Sequence, residues 1–170
     1  MKRLKETGSE IVIMTTLSNS WEGLFWRFHP AAEDDIGIFI SRDIDSRLNE
    51  REKAAVDEWL SSDKDIHVMR DHLEHNVPIL GGMWGCRNRI LKDMKYLISR
   101  WDKKDIKGSD QDFLKEEIWK YYSKFVIAHD KYYNGITIEQ VVSNEKEYLI
   151  QREANEQYRK PTIEKRAIYI

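Results

Sequence analysis

The chain has 170 residues, of which 41% are hydrophobic, and this combination predicts one compact domain over residues 1–170. Its 28 basic and 30 acidic residues give a formal net charge of -2, which argues against a nucleic-acid-binding protein. Cys86 is the only cysteine, so an intrachain disulfide is excluded and a reducing compartment is favoured. The apolar run at 11–14 is too short for a secretory signal or a membrane span, and we expect a cytoplasmic protein.

Predicted strands and helices alternate along the chain. Short apolar runs rich in Ile, Val, Phe or Met predict strands at 11–14, 36–40, 66–69 and 125–128. Apolar residues at helical spacing predict helices at 21–28, 49–60 and 90–101, and from 109 onward. Pro30 is expected to end the first of these helices, and Asn49 to cap the second. A charged helix at 136–151 and a short strand at 163–170 complete the prediction.

This alternation predicts an α/β fold, with a mixed, mostly parallel sheet flanked by helices in three layers. The first two strands are joined by one helix and are expected to pair in parallel through a right-handed crossover. Ligands of such sheets bind beyond the carboxyl ends of the strands. Three predicted strands end on charged sequences: Arg42-Asp43-Ile44-Asp45, Arg70-Asp71-His72 and His129-Asp130. A binding site is therefore predicted at that edge.

Asp43 and Asp45 are the main candidates for binding a metal ion. In an extended chain residues i and i+2 point the same way, so both carboxylates are placed to bind one hard cation. Mg²⁺ or Mn²⁺ takes such a pair together with substrate phosphates, and His129 as a further ligand would favour Mn²⁺. Arg42 and Arg70 are the predicted diphosphate contacts, because a guanidinium matches phosphate oxygens geometrically. A polar strand end before a helix cap, and a histidine that caps a backbone carbonyl, remain the structural alternatives.

A glycine-rich segment forms a second candidate site within a loop predicted from 72 to 85. Gly81 and Gly82 let a ligand approach the backbone closely, and Trp84 can lay its ring against a sugar or a base. The alternative is a turn in which Trp84 fills the core.

Asp110 and Gln111 lie at the start of a predicted helix, where Ser109 is the expected cap and Asp110 faces the positive end of the dipole. Spacing alone does not make these residues functional. The chain contains neither a P-loop nor the Gly-x-Ser-x-Gly elbow of α/β-hydrolases. Its clustered histidines, His67, His72 and His75, are spaced unlike the usual zinc ligands.

The ordered series of motifs over about residues 20 to 133 resembles the GT-A-fold glycosyltransferases encoded by polysaccharide gene clusters and some large viruses. The resemblance rests on Ile40-Ser41-Arg42-Asp43-Ile44-Asp45-Ser46-Arg47, His67-Val68-Met69-Arg70-Asp71-His72, Ile79-Leu80-Gly81-Gly82-Met83-Trp84-Gly85, Asp110-Gln111 and His129-Asp130. It implies a nucleotide-diphospho-sugar transferase-like fold. It also implies transfer of a sugar from a nucleotide-diphosphate donor to a glycan or another hydroxyl acceptor.

Asp43 and Asp45 match the family's metal-binding Asp-x-Asp, and His129 matches a later ligand of the metal or the diphosphate. The implied cofactor is Mn²⁺ or Mg²⁺, and the implied partners are a nucleotide sugar and a glycan acceptor. Asp110 and Gln111 match the segment that lines the donor-sugar and acceptor pocket.

Gly81 to Gly85 match the loop beside that pocket. Enzymes of this fold carry a further strand and helix at the N-terminus that cradle the base and ribose. Since about 35 residues precede the Asp-x-Asp strand, we expect a domain reduced at its N-terminus, with self-association as one way to complete it.

Three other functions stay open at this point. The same fold can serve as a nucleotide-sugar or glycan-binding module without turnover. The carboxylates can belong to a metal-dependent phosphohydrolase. The chain can also be a structural subunit whose charged C-terminal helix docks a partner.

Overall fold

The computed structural model describes residues 6, 8–14, 21–72 and 74–130, together with the backbone of a strand at 166–169. The strands in these ranges are β1 (Ile36–Arg42), β2 (Ile66–Arg70), β3 (Met83–Arg87), β4 (Val126–Asp130) and β5 (Arg166–Tyr169). Within the described residues they form one mixed sheet of order β4-β2-β3-β1-β5. β3 is antiparallel to both of its neighbours, β1 and β2, whereas β1 pairs with β5 and β2 with β4 in parallel. The predicted α/β class and the mixed sheet are thereby confirmed, but two of these four pairings are antiparallel, so the described sheet is not mostly parallel as predicted.

Short helices surround the sheet. They are α1 (Gly23–Trp26), α2 (Glu50–Ser61), α3 (Met94–Arg100), α4 (Ser109–Phe113) and α5 (Lys120–Tyr122), with a π-helical stretch at Leu114–Trp119 and 3₁₀ turns at His29–Ala32 and Ser123–Phe125. Asn49 caps α2 as predicted, since its side chain accepts a hydrogen bond from the Glu52 N–H at 3.0 Å.

Alternate strand residues face opposite sides of the sheet, and each side has its own core. One side, which we call the large-core face, carries Phe39, Val68 and Trp84 and packs against residues of α1, α3 and α4. The other side, the α2 face, carries Ile40, which packs against Val56 and Trp59 of α2. A residue's strand position therefore decides which of two separate environments its side chain enters.

The predicted strand at 11–14 is wrong. These residues have no regular secondary structure, and Val12 is 73% exposed. A strand needs a hydrogen-bonding neighbour, and both edges of β1 are taken, by β3 and by β5. The expected parallel crossover into β1 is consequently absent from the described residues.

Several element boundaries also differ from the prediction. Met83–Arg87 is strand β3 rather than loop; a Cβ at Gly85 would lie 2.7 Å from the Phe39 carbonyl oxygen, so the glycine allows close backbone packing. Pro30 lies near the start of the 3₁₀ turn at His29–Ala32, after α1, instead of ending a longer helix. The helix predicted from residue 90 begins at Met94. The predicted helix at 136–151 lies outside the described residues, whereas the predicted C-terminal strand corresponds to β5.

Candidate functional site

Residues from four separate segments meet on the large-core face at the carboxyl end of β1. We call this set the acid–arginine cluster; it consists of Arg27, Asp43, Gly81, Gly82 and Asp110. Arg27 Nη1 donates a hydrogen bond to Asp43 Oδ1 at 2.5 Å, and Nη2 donates to Asp110 Oδ2 at 2.6 Å. One guanidinium thus bridges two carboxylates that are far apart in the sequence.

The two carboxylates of the acid–arginine cluster differ in their exposure. Asp43 directly follows β1, and its side chain is 52% exposed. Asp110 lies in the first turn of α4, and its side chain is only 4% exposed. Gly108, at the N-cap of α4, has a φ of 80°, a left-handed conformation that glycine adopts readily. This turn sets where Asp110 enters the cluster, and Gly108 takes the capping position predicted for Ser109.

Gly81 and Gly82 pack directly against the carboxylates, so a Cβ at either position would force a side chain of the cluster to move. A Cβ at Gly82 would overlap the Asp43 carboxylate, and one at Gly81 would lie 2.5 Å from Asp110 Oδ2. The Ser41 hydroxyl donates to the Gly81 carbonyl at 2.6 Å and holds the turn in place. Neither glycine has a positive φ, so both are needed for space rather than for backbone conformation. The structure brings these predicted residues beside Asp43.

Asp45 and Gln111 lie next to the cluster. The Ser46 N–H donates to the Asp43 carbonyl at 2.9 Å and closes a turn, so Asp43 and Asp45 are not aligned by strand alternation as the sequence suggested. Asp45 is exposed, and within the described part of the chain its carboxylate has no hydrogen bond or ion pair. Gln111 is half-buried beside Asp110 on α4.

His129 is not brought together with the two aspartates. It lies on the α2 face, two residues after Ile127 of that core, with its Nε2 3.3 Å from Glu58 Oε2. Because β4 and β1 are separated by two strands, their backbones are roughly 14 Å apart. Among the residues the structure describes, no three His, Cys, Asp or Glu side chains are grouped to hold a metal ion. His129 is therefore removed from the predicted ligand set of Asp43 and Asp45.

The predicted diphosphate contacts Arg42 and Arg70 are both held in the interior. Arg42 is buried on the α2 face, where it forms an ion pair with Glu52 and donates to the Trp84 carbonyl at 3.2 Å. Arg70 is buried on the large-core face and binds Asp130 with two hydrogen bonds of 2.6 and 2.7 Å. A buried guanidinium needs such internal partners. Because both groups are buried and bound internally, the prediction that they contact a diphosphate is corrected for both arginines.

Trp84 is a core residue, and the prediction that it contacts a ligand is corrected. Its side chain is 0% exposed. The ring packs edge-to-face against Phe28 and Phe39, with centroids 5.6 and 5.1 Å apart. The structural alternative for Trp84 is the one observed.

Sequence reasoning missed Arg27, although it joins the predicted residues. Its position was the available signal, since it is the basic residue between Trp26 and Phe28 in an aromatic segment. A charged side chain in such a segment usually has a partner, because burial of an unpaired charge is costly. The identity of that partner depends on the fold.

An open groove of about 500 Å³ lies near the start of α4. It is lined by Glu22, Ser99, Arg100, Trp101, Asp102, Lys104 and Asp105. Trp101 Nε1 donates to Ser109 Oγ at 2.8 Å, which ties the wall of the groove to the residue before Asp110. The groove combines an indole with acidic and basic groups.

A second polar group lies on the α2 face. His67 is fully buried; its ring stacks on Trp59 at a centroid distance of 5.4 Å and lies 5.3 Å from that of His129. Neither nitrogen of the His67 ring has a hydrogen-bond partner in the described part of the chain. Burial, helped by the positive charge of Arg42 and by His129, lowers the pKa of His67 from 6.5 to about 3. The ring is therefore neutral at physiological pH.

His67 is expected to make the fold acid-sensitive. Because the pKa of His67 is lowered on folding, its contribution to the free energy of unfolding is complete above pH 6.5 and is lost as the pH falls toward 3. Between these pH values the unfolded chain binds a proton at His67 that the folded chain does not bind. The free energy of unfolding then falls by up to about 1.4 kcal/mol per pH unit, which amounts to about 2 kcal/mol between pH 7 and pH 5. Urea unfolding at both pH values should show a smaller difference for His67→Phe than for the wild type. Equal differences would contradict the assignment. The pKa values of His29 and His75 are lowered as well, but both residues are present in the wild type and in the variant, so their effects cancel in the comparison.

Comparison with known proteins adds no relative: no family model, no curated protein and no solved structure matches the chain. Among the described residues, no helix combines the length and the apolar character that crossing a bilayer requires. The chemistry of the acid–arginine cluster therefore carries the functional conclusion. A half-exposed carboxylate, a buried carboxylate and a guanidinium at a sheet edge are suited to binding a cation and a phosphate together.

Proposed function

We propose that the protein is a metal-dependent glycosyltransferase that moves a sugar from a nucleotide-diphosphate donor to a hydroxyl of a glycan or another acceptor. The observation that carries this proposal is the meeting of Asp43, Gly81, Gly82 and Asp110 in one cluster. These residues match separate motifs of the family that the sequence resembles. Their cluster lies beyond the carboxyl end of β1, where α/β sheets bind ligands.

Asp43 and Asp45 are the residues that would hold Mn²⁺ or Mg²⁺. Both are exposed. The Asp43 carboxylate occupies the space that a Cβ at Gly82 would fill, so it lies directly against the turn at Gly81 and Gly82. Such ions take one or two carboxylates and complete their coordination with phosphate oxygens and water, so the residues present fit the ion. When bound, the ion neutralises charge that develops on the departing diphosphate.

Asp110 is the proposed group for the sugar side of the reaction. Its carboxylate is bound by Arg27 and almost completely buried against the turn at Gly81 and Gly82, so orienting an acceptor hydroxyl or stabilising positive charge on the sugar would require that turn to move aside. Gln111 beside it offers an amide for hydrogen bonds with hydroxyl groups. We place the acceptor in the groove at Trp101, because an indole face and nearby carboxylates suit a sugar ring and its hydroxyls.

A nucleotide-sugar-binding module without turnover is the second candidate. The observation that favours it is the ion pair between Arg27 and Asp110. The Arg27 guanidinium occupies Asp110 Oδ2, so in this state that oxygen is not available to take a proton from an acceptor hydroxyl.

Binding and turnover assays separate these functions. We expect a nucleoside diphosphate together with Mn²⁺ to raise the melting temperature by roughly 5–10 °C at about 100 times its dissociation constant. A glycosyltransferase should also release the nucleoside diphosphate from the matching nucleotide sugar. The panel should contain uridine, guanosine, adenosine and cytidine diphosphates, their common sugar conjugates and a simple phosphomonoester, each with and without Mn²⁺.

Each outcome of that panel has a distinct meaning. A melting shift without release of the diphosphate indicates the binding module. Cleavage of the phosphomonoester indicates a phosphohydrolase. No shift with any combination of metal and nucleotide contradicts the proposal and leaves the structural subunit.

A further inference from the structure

We infer that Arg27 exchanges partners during donor binding: it holds Asp43 and Asp110 in the ligand-free chain, and its Nη1 passes to the diphosphate once a divalent cation binds Asp43. Arg27 would thereby couple metal binding to donor binding. The inference rests on the proposed function and adds the residue through which the metal and the diphosphate cooperate.

The contacts of Arg27 hold its guanidinium in one orientation. Nε donates to the Leu24 carbonyl at 3.1 Å, and the guanidinium carbon lies 5.5 Å from the ring centroid of Phe28. Nη1 and Nη2 bind Asp43 and Asp110. The side chain is 19% exposed, so it is close to solvent while every nitrogen has a partner. In this state Arg27 already occupies one oxygen of the proposed metal ligand.

A divalent cation and Arg27 compete for Asp43. Nη1 lies 2.5 Å from Asp43 Oδ1, and a second cation at that carboxylate would be repelled by the guanidinium. Gly82 packs directly against one side of the carboxylate, so Asp43 cannot move in that direction to separate the two cations. Metal binding therefore favours release of Nη1 from Asp43.

The second carboxylate keeps the released guanidinium nearby. Asp110 is almost completely buried and binds Nη2 at 2.6 Å, so departure of Arg27 would leave a buried charge without a partner. Nη1 is then free beside the carboxylate that holds the metal, where the phosphate oxygens of a metal-bound diphosphate would lie. The N–H groups of Nη1 would donate to those oxygens in charge-assisted hydrogen bonds, which compensate for the lost ion pair.

Arg27 would thus perform the role that the sequence suggested for Arg42 and Arg70, whose side chains are only 6% and 3% exposed, against 19% for Arg27. The exchange also predicts a thermodynamic signature. Without Arg27, the metal alone should bind more tightly because its competitor is gone, whereas the diphosphate should bind more weakly in the presence of metal. Coupling between the two ligands is reciprocal, so both changes belong to one lost interaction.

The test measures each ligand separately. Binding of Mn²⁺ alone is followed by the electron paramagnetic resonance signal of the free ion, and binding of uridine, guanosine or adenosine diphosphate by calorimetry at saturating Mn²⁺. For Arg27→Gln we expect Mn²⁺ alone to bind several-fold more tightly and the preferred nucleoside diphosphate to bind at least about 10-fold more weakly. Arg27→Lys should retain the competition with the metal and lose part of the diphosphate affinity, because an ammonium has one nitrogen and cannot bind Asp110 and the diphosphate through two separate nitrogens.

Two further variants keep the result interpretable. The double variant Arg27→Gln/Asp110→Asn removes both charges, so the chain is not left with an unpaired buried carboxylate, and it should show the same opposite changes. Arg51→Gln is the matched control, since Arg51 forks onto Asp71 at 2.8 and 2.7 Å outside the cluster and should leave both affinities unchanged.

The outcomes distinguish this inference from the proposed function. A wild type that binds Mn²⁺ and a nucleoside diphosphate, with Arg27 variants that weaken both or change neither, overturns the exchange and leaves the proposed function standing. A wild type that binds neither ligand overturns the proposed function and the exchange together.

Discussion

Replacing Asp45 with Ala is expected to reduce metal-dependent sugar transfer by about 100-fold or more while leaving the stability of the protein unchanged. Asp45 is exposed in the turn after β1, and its carboxylate has no hydrogen bond or ion pair within the described ranges. The folded state therefore loses no contact of that carboxylate in the variant. A metal ion loses one of its two proposed carboxylate ligands, and with it the neutralisation of the departing diphosphate.

The measurement combines initial rates of nucleoside diphosphate release over a range of Mn²⁺ concentrations with thermal unfolding in the absence of ligands. Asp63→Ala is the matched control, because Asp63 is also an exposed aspartate in a turn and lies after α2, away from the cluster. Asp45→Ala with wild-type turnover at every metal concentration would remove Asp45 from the site. A lowered melting temperature would instead show that Asp45 serves the fold.

The strands and the longest helix were predictable because their signals are local. β1, β2 and β4 each begin as a short apolar run, and α2 has both a capping side chain at Asn49 and apolar residues at helical spacing. β3 was missed because Gly85 and the two glycines before the strand indicate a turn, whereas Gly85 allows close contact between strands. Exposure of the run at 11–14 shows the converse, that apolar character without pairing to a neighbouring strand does not produce a strand.

The site was only partly predictable because contacts between distant residues depend on the face of the sheet. Asp43 and His129 both lie at carboxyl ends of strands, yet one contacts Asp110 on the large-core face through Arg27 and the other contacts Glu58 on the α2 face. Which face a residue occupies depends on the bounds and register of its strand, which short motifs do not specify. The partners of a long charged side chain such as Arg27 are set by tertiary packing in the same way.

Replacing Glu52 with Ala is expected to lower the free energy of unfolding by about 3–5 kcal/mol, a large share of the 5–15 kcal/mol that is typical of a folded domain. Glu52 and Arg42 form an ion pair in which both side chains are more than nine-tenths buried between α2 and the sheet. The variant leaves the Arg42 charge desolvated, with backbone carbonyls as its remaining partners. Urea unfolding should show the loss, while Asp57→Ala, which breaks an exposed ion pair on the same helix, should leave the midpoint within error of the wild type.

The double variant Arg42→Met/Glu52→Leu resolves what Arg42 does for the site. Replacing both charges by apolar side chains should restore most of the stability, because no buried charge remains without a partner. Since Arg42 immediately precedes Asp43, restored packing at the end of β1 should also restore the position of that carboxylate and the binding of a nucleoside diphosphate with Mn²⁺. A stable double variant that fails to bind the nucleotide would return Arg42 to the role of a diphosphate contact. A double variant with full binding leaves Arg27 as the guanidinium that serves the ligand.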